Sequence, residues 1–312
     1  MSERSMHPDE RIARVASRQH GLITHRQLRG MGLSDGAIRA RRRSGYLRPV
    51  HVAVYAVGHD SLTLEGRRLA AVMACGPEAL LSHAHAAALW GMLAPWEEPS
   101  MAAIDVTVPA ACGRGRRPGI VVHRTRIPSA ERAVRVGIPV TAAARTVLDL
   151  ATGASDRLLE RVIDQALTDE HLTVPALHAC AAEHRGSRGA GGLRRMLAAL
   201  ERYDSLTDSE LEEQFLARVR GAGLPDPRMN ARVAGMRLDA IWPSERVAVE
   251  LDGYRWHRTR SRSESDRRRE LRLRAAGWRV MRYSARQVFE EPFEVIADLS
   301  SVLAAAAVRG GG

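Results

Sequence analysis

Three carboxylates sit in two neighbouring β-patterned segments and limit how those segments can pair. Asp239 lies in MRLDAIW; Glu250 and Asp252 lie in VAVELDG, across the turn WPSER. Glu250 and Asp252 are two apart, so a strand points both to one face. A two-residue hairpin centred between residues 244 and 245 sets position 239 directly opposite 250. Like charges placed opposite each other destabilise a strand pair. A sheet keeps Asp239, Glu250 and Asp252 together only if something cationic joins them. A divalent ion is one solution, because hard oxygen ligands suit Mg2+. Arginine side chains are the other. A longer loop or a one-residue shift of register dissolves the cluster.

Arginine is in ample supply. All 47 basic residues of the 312 are Arg, set against 36 acids, for a net charge of +11. Without a lysine, Walker-type phosphate loops and Schiff-base chemistry are excluded. The charge is uneven: residues 1–50 carry +7, residues 51–204 carry +1 and residues 205–312 carry +3, with 12 Arg between 255 and 286. Two basic patches flanking a near-neutral middle suit two phosphate-facing surfaces better than uniform solubilising charge does. Length predicts about two domains. Aromatics make up only 4%, so the cores must be built from Ala, Leu, Val and Ile. Cys75, Cys112 and Cys180 lie far apart, which argues against a disulfide framework or a zinc ribbon. The charged N-terminus lacks the apolar stretch of a signal peptide, and the apolar run Ala79–Trp96 reads as a buried helix, not a membrane span. These features predict a cytoplasmic chain without a membrane segment.

Residues 9–19 read as a helix stopped by Gly21. Thr24 and Gln27 form a capping box that starts a second short helix, and Ser34 caps a third ending near Gly45. The third helix carries Arg39, Arg41, Arg42 and Arg43. Leu47 to Val57 then reads as two short strands. Three short helices, a basic third helix and a β wing predict a winged helix-turn-helix, whose third helix enters the major groove of double-stranded DNA. A small bundle with solvated arginines is the alternative. The stretch RIARVASRQHGLITHRQLRGMGLSDGAIRARRRSGYLRPVHVAVYAVG resembles the N-terminal winged helix of AbiEi-type antitoxins. That resemblance implies a DNA-binding autorepressor within a toxin–antitoxin system.

In the middle, residues 62–93 read as helical. His83 and His85 are two apart, so on a helix they point to different faces; this predicts buried or interfacial histidines, not a metal site. Ile104–Pro109 and Ile120–His123 read as strands joined by a basic hairpin tip, GRGRRPG, more plainly a solvated loop than a minor-groove hook. Helices follow from Thr141 and over 156–168. Gly186–Gly192 reads as a linker or the capped start of a helix at Leu193. The region carries no catalytic signature of its own. It resembles the connecting module of actinobacterial proteins that join such a winged helix to the C-terminal domain described next.

From Ser205 the pattern predicts helix (208–220), three strands (229–233, 237–242, 246–252), a basic helix near 263–276 stopped by Gly277, a strand (278–283) and a last helix from Pro292. Glu212 is a fourth acid. A Ser209–Glu212 capping box would make it structural. The competing box, Thr207 with Glu210, leaves it inside the helix at the edge of the apolar stripe facing the sheet. His257, in DGYRWHR, follows the acids on a loop and suits a general base or a proton donor to a leaving oxygen.

The segments SELEEQF, RLDAIW, VAVELDGYRWH and DRRRELRLRAAGWRVMRYS, in that order, resemble Vsr-like (very-short-patch-repair-like) endonuclease domains of the PD-(D/E)XK restriction-endonuclease-like superfamily. The resemblance implies an αβββαβ core and Mg2+- or Mn2+-dependent hydrolysis of a DNA phosphodiester. It gives Glu212 the place of the first-helix Glu and Asp239 that of the metal-binding Asp. Glu250 and Asp252 take the places of the acidic pair, and His257 that of the family histidine. Asp266 and Arg269 fit its D-x-x-R helix. Asp252 stands where the wider superfamily has Lys, as in Vsr-like members, which leaves the water-activating group open.

The expected fold is α/β (α+β): a winged helix-turn-helix over 1–58, a mixed α/β connecting module over 59–204 and an αβββαβ domain over 205–308. The expected function is a DNA-binding, metal-dependent endonuclease acting in phage defence, toxin–antitoxin pairing or repair. Metal would sit on Asp239, Glu250 and Asp252, and Arg267, Arg268, Arg269 and Arg272 would hold the backbone. The alternative is an AbiEi-like repressor or antitoxin with an inactive nuclease-like domain. Double-stranded DNA and a toxin or antitoxin protein are the expected partners.

Overall fold

The computed structural model describes residues 7–59, 61–112, 117–204, 207–252 and 271–310. The chain forms two compact units: Met1–Ala166 with His171–Ala190, and Leu167–Glu170 with Gly191–Gly312.

The first unit opens with α1 (Pro8–Ser17), β1 (Leu22–Thr24), α2 (His25–Gly30), α3 (Asp35–Arg43), β2 (Leu47–His51) and β3 (Val54–Val57). The capping chemistry sets the helix starts. Thr24 and Gln27 exchange their side-chain and backbone bonds at the head of α2, and the Ser34 hydroxyl accepts the Ala37 N–H at the head of α3. The strands pair in the order β1-β3-β2. Ile12, Ile23, Leu28, Leu33, Ile38, Leu47 and Tyr55 close the core beneath them. This is the winged helix-turn-helix expected from the sequence.

The rest of this unit departs from expectation in several places. The predicted helix over 62–93 is interrupted: α4 (Leu64–Cys75) ends at Gly76, at φ 111, and Leu80–Leu81 form a two-residue strand, β4, before α5 (His83–Trp90). Gly76–Pro77 breaks the helix, and the two buried leucines that follow fit the middle of a sheet. β5 (Ile104–Pro109) and β6 (Ile120–Thr125) pair in parallel, so the segment between them is no hairpin tip; its residues 113–116 lie outside those described. β7 (Arg132–Arg135) and β8 (Ile138–Thr141) complete a five-stranded sheet ordered β6-β5-β4-β8-β7. Helices α6 (Ala143–Leu150), α7 (Asp156–Thr168) and α8 (Val174–Glu183) follow. Of the glycine-rich stretch 186–192, Gly186 precedes and Gly189, Gly191 and Gly192 lie inside α9 (Arg188–Asp204), within which the division between the two units falls after Ala190; buried Ala190, Leu193, Met196, Leu197 and Leu200 outweigh the weak helix propensity of glycine.

The second unit follows the expected order: α10 (Asp208–Gly221), β9 (Arg228–Val233), β10 (Met236–Trp242), β11 (Val247–Asp252), helical residues 271–275, β12 (Arg279–Ser284), α11 (Ala285–Glu290) and α12 (Pro292–Gly310). The sheet runs β12-β11-β10-β9; β9, β10 and β11 are antiparallel neighbours and β12 joins β11 in parallel. Leu211, Phe215 and Val219 of α10 pack with Trp242, Val247, Val249 and Tyr283 on one side of this sheet. Leu238, Ile241 and Ala248 pack with Leu273 on the other. Among the described residues no helix is long and apolar enough to cross a membrane.

Candidate active site and nucleic-acid interface

The β10–β11 hairpin closes on the expected centre. Trp242 pairs with Val247, Ile241 with Ala248 and Ala240 with Val249. Continuing that register places Asp239 opposite Glu250. The turn spans four residues, Pro243–Arg246, with Arg246 at φ 54, but the centre and the register are unchanged.

Asp239 sits at a break in the strand. Leu238 and Ala240, which a regular strand would point to one face, belong to different clusters. Opposite, between Ala231 and Met229, Asn230 takes a left-handed φ of 52. At this break the Asp239 carboxylate reaches across to β11, where its Oδ2 accepts the Leu251 backbone N–H at 2.7 Å.

Glu250 is buried, at 9% exposure, on the Ala248 face of β11. Its Oε2 stands 2.8 Å from Nη2 of Arg282, the residue that pairs with it across β11 and β12. Asp252 ends β11, in register with Ser284. Glu212 is placed by the Thr207–Glu210 capping box, which leaves it within α10, half-buried beside Leu211. Its carboxylate accepts from the Asn230 amide at 2.6 Å, and Asn230 Oδ1 accepts from Arg237. Asn230 thus ties Glu212 to the strand position facing Asp239. Sequence reasoning missed Asn230, Arg237 and Arg282. The first two lie at strand positions that register arithmetic around Asp239 would have reached. His257, Asp266, Arg267, Arg268 and Arg269 lie outside the described residues, and Arg272 is exposed on the helical segment that begins at 271.

On the winged helix, Arg39, Arg42 and Arg43 are exposed and line, with Pro49, an open depression of about 340 Å³. Arg42 also lies over the Tyr55 ring, 5.8 Å from its centroid. Arg41 differs. It turns inward, its Nε donating to Asp9 of α1 at 2.6 Å and its Nη1 to the Ala37 carbonyl.

Two stretches of the chain match known protein families. The family model "Transcriptional regulator, AbiEi antitoxin" matches residues 10–58, and the restriction-endonuclease-like model REase_MTES_1575 matches residues 211–303. The chain joins an AbiEi antitoxin-like winged helix to a restriction-endonuclease-like domain. Two Mycobacterium tuberculosis chains, the uncharacterized proteins MT2308 (strain CDC 1551 / Oshkosh) and Rv2248 (strain ATCC 25618 / H37Rv), are each 27% identical to it over 275 residues, covering 86% of this chain and 96% of theirs. The crystal structure of the RV2827C protein from the same species is 19% identical, covering 61% of this chain and 80% of its own, with a TM-score of 0.31.

Proposed function

We propose that this protein binds double-stranded DNA through its winged helix and hydrolyses DNA phosphodiesters at the Asp239–Glu250 site, using Mg2+ or Mn2+. The observation that carries this reading is the register of β10 on β11, which, continued one step beyond Ala240–Val249, sets Asp239 against the buried Glu250 at a break in the strand. Two carboxylates brought to adjacent strand positions in a half-dry setting would suit a hard divalent ion, which would remove their repulsion. Asp239 and Glu250 would hold it, with Asp252 at the next strand position of the same parity. The ion would neutralise charge developing on the phosphate and lower the pKa of a bound water. The chain's own groups do the rest. The Leu251 N–H orients the Asp239 carboxylate, and the Asn230 amide holds Glu212. Arg39, Arg42 and Arg43 supply phosphate or guanine-edge contacts, and Arg272 a further backbone contact. The roles of His257 and of Arg267, Arg268 and Arg269 rest on the resemblance to Vsr-like enzymes.

One observation favours a second reading, an AbiEi-like repressor or antitoxin with a silent nuclease-like domain, paired with a toxin protein. Arg282 already supplies a cation to Glu250, so the carboxylates can be neutralised without a metal.

Supercoiled plasmid incubated with the protein and Mg2+ separates the two. Nicking that is lost with EDTA and with Asp239→Asn/Glu250→Gln supports the nuclease. Retained plasmid binding without nicking supports the repressor. Neither binding nor nicking would overturn both.

A further inference from the structure

The region between the two recognised domains contains a second, chemically different cluster. His83, Asp105 and His123 come from the start of α5, from β5 and from β6, and each offers a donor atom within 4.8 Å of the others. The helical-spacing argument against a metal at His83 does not apply, because His83 has φ 51 and its own backbone lies outside the helical region. That conformation aims its ring at β5 and β6, away from the face that ideal spacing assigns. Such backbone persists only where the surroundings impose it, and it clusters at ligand sites.

The ring of His83 stacks on that of His123, with centroids 3.7 Å apart and planes 22° apart. Nδ1 of His83 is engaged by the Ser82 hydroxyl at 3.0 Å, so Nε2 is the nitrogen it can offer. Nε2 of His123 lies 2.8 Å from Asp105 Oδ1. Two ligands that share an ion at about 2.0–2.2 Å in a tetrahedron stand about 3.4 Å apart, so this hydrogen-bonded pair needs to open by only about half an ångström to hold one ion between them.

His85 supports the carboxylate from behind. Its Nδ1 stands 3.0 Å from Asp105 Oδ2 and 3.2 Å from the Asp105 backbone nitrogen. This imidazole is 99% buried, at 1% exposure, and its Nε2 has no hydrogen-bond partner among the described residues. Thr107, two residues along β5 on the Asp105 face, is likewise fully buried with an unmatched hydroxyl. Polar groups have thus been desolvated around one carboxylate without full compensation, as happens where a supporting shell fixes a metal ligand. His83, Asp105 and His123 are themselves only half-buried, which leaves a route in for an ion and room for water to complete its coordination.

We propose that His83, Asp105 and His123 form a binding site for one divalent first-row transition metal ion of the zinc type, with His85 positioning Asp105 and at least one coordination position open to solvent. Two imidazole nitrogens and one carboxylate oxygen suit Zn2+, Co2+ or Fe2+ and not Mg2+ or Ca2+, which take all-oxygen sets. The site is therefore distinct in ligand chemistry from the carboxylates at Asp239 and Glu250, and it does not depend on the nuclease reading.

Full-length protein stripped with chelator is titrated with Co2+ in excess Mg2+, which occupies any all-oxygen site, and then with Zn2+ as competitor. The expected result is one equivalent of Co2+ with visible d–d absorption, displaced by Zn2+. X-ray absorption of the Zn2+ form shows two imidazoles. His123→Gln, at a partly exposed residue whose replacement spares the core, and Asp105→Asn each weaken binding about a hundredfold or more, and His85→Phe does so by about 10- to 100-fold. A Zn2+-induced rise in melting temperature, present in the wild type and absent in His123→Gln, provides the same test in the folded proteins. No stoichiometric Co2+ binding by the wild type, or binding unchanged in His123→Gln, overturns the proposal.

Discussion

Glu250 and Arg282 are paired residues on adjacent parallel strands, and their carboxylate and guanidinium meet at 2.8 Å. The buried acid therefore has a built-in counter-charge. Removing it in Arg282→Gln takes away a charge-assisted bond at a desolvated carboxylate and should cost about 1–3 kcal/mol. If Asp239 and Glu250 hold a divalent ion, that ion can take over the role of the lost arginine. Thermal melting with and without Mg2+ should then show a larger Mg2+-dependent rise for Arg282→Gln than for wild type. An equal rise in both would mean that the ion does not reach Glu250.

Asp239 has two separable jobs, since its Oδ2 also accepts the Leu251 N–H. Asn keeps an acceptor oxygen there, whereas Ala leaves a backbone donor unmatched between two strands. Asp239→Asn should melt near the wild type while abolishing nicking. Asp239→Ala should lose both nicking and about 1–3 kcal/mol of stability. Equal stability of the two variants would show that the Leu251 bond contributes nothing.

The third helix divides its arginines by task. Arg39→Gln, Arg42→Gln and Arg43→Gln should each weaken duplex binding and reduce the slope of log K against log salt by about one. Arg41→Gln should leave that slope unchanged and instead lower stability by about 1 kcal/mol, because its guanidinium ties α3 to Asp9. Affinity measured across a salt series, beside thermal melts, separates the two behaviours.

Cys180 is buried, and desolvation followed by the nearby Glu131 charge pushes its thiol up to about 12 from an ordinary 9.0. A folded value above the unfolded one stabilises fully below about pH 9. That contribution is lost as pH rises through 12, because only the unfolded thiol ionises. Cys180→Ala should therefore flatten the alkaline fall in melting temperature. At neutral pH a thiol reagent should label Cys112 first, since Cys75 and Cys180 are buried and Cys112 only partly so. Fast labelling of Cys180 in the native protein would contradict this.

Much of both recognised domains was legible because local chemistry dictated it. Side-chain caps at Thr24, Ser34 and Thr207 fix where helices begin, and the centre of the WPSER turn fixes the register that pairs Ala240 with Val249. The middle was harder to read because its order is set by distant partners. Leu80–Leu81 carries too few residues for any periodicity, and the pairing of β5 with β6 is parallel, which no turn between them announces. His85 is buried, as the sequence predicted, and His83 is partly buried; what spacing could not show is that His83 departs from ideal helical backbone. The role of Arg282 at Glu250 depends on a parallel pairing that joins segments 32 residues apart.

The smallest strand carries a consequence for how the first unit assembles. Leu80 hydrogen-bonds across to Thr107 on one side, and Leu81 lies beside Val140 on the other. The five-stranded sheet is therefore two ladders joined by a two-residue keystone. Neither ladder can consolidate with the other until segments some 25 and 60 residues downstream have returned to the same two leucines, a high contact order that slows folding. Leu22, Val54 and Ala56 of the winged helix lie in the same apolar cluster as Leu81, Val106 and Val140, so the closing of this sheet also completes the burial of the winged helix's inner strand face.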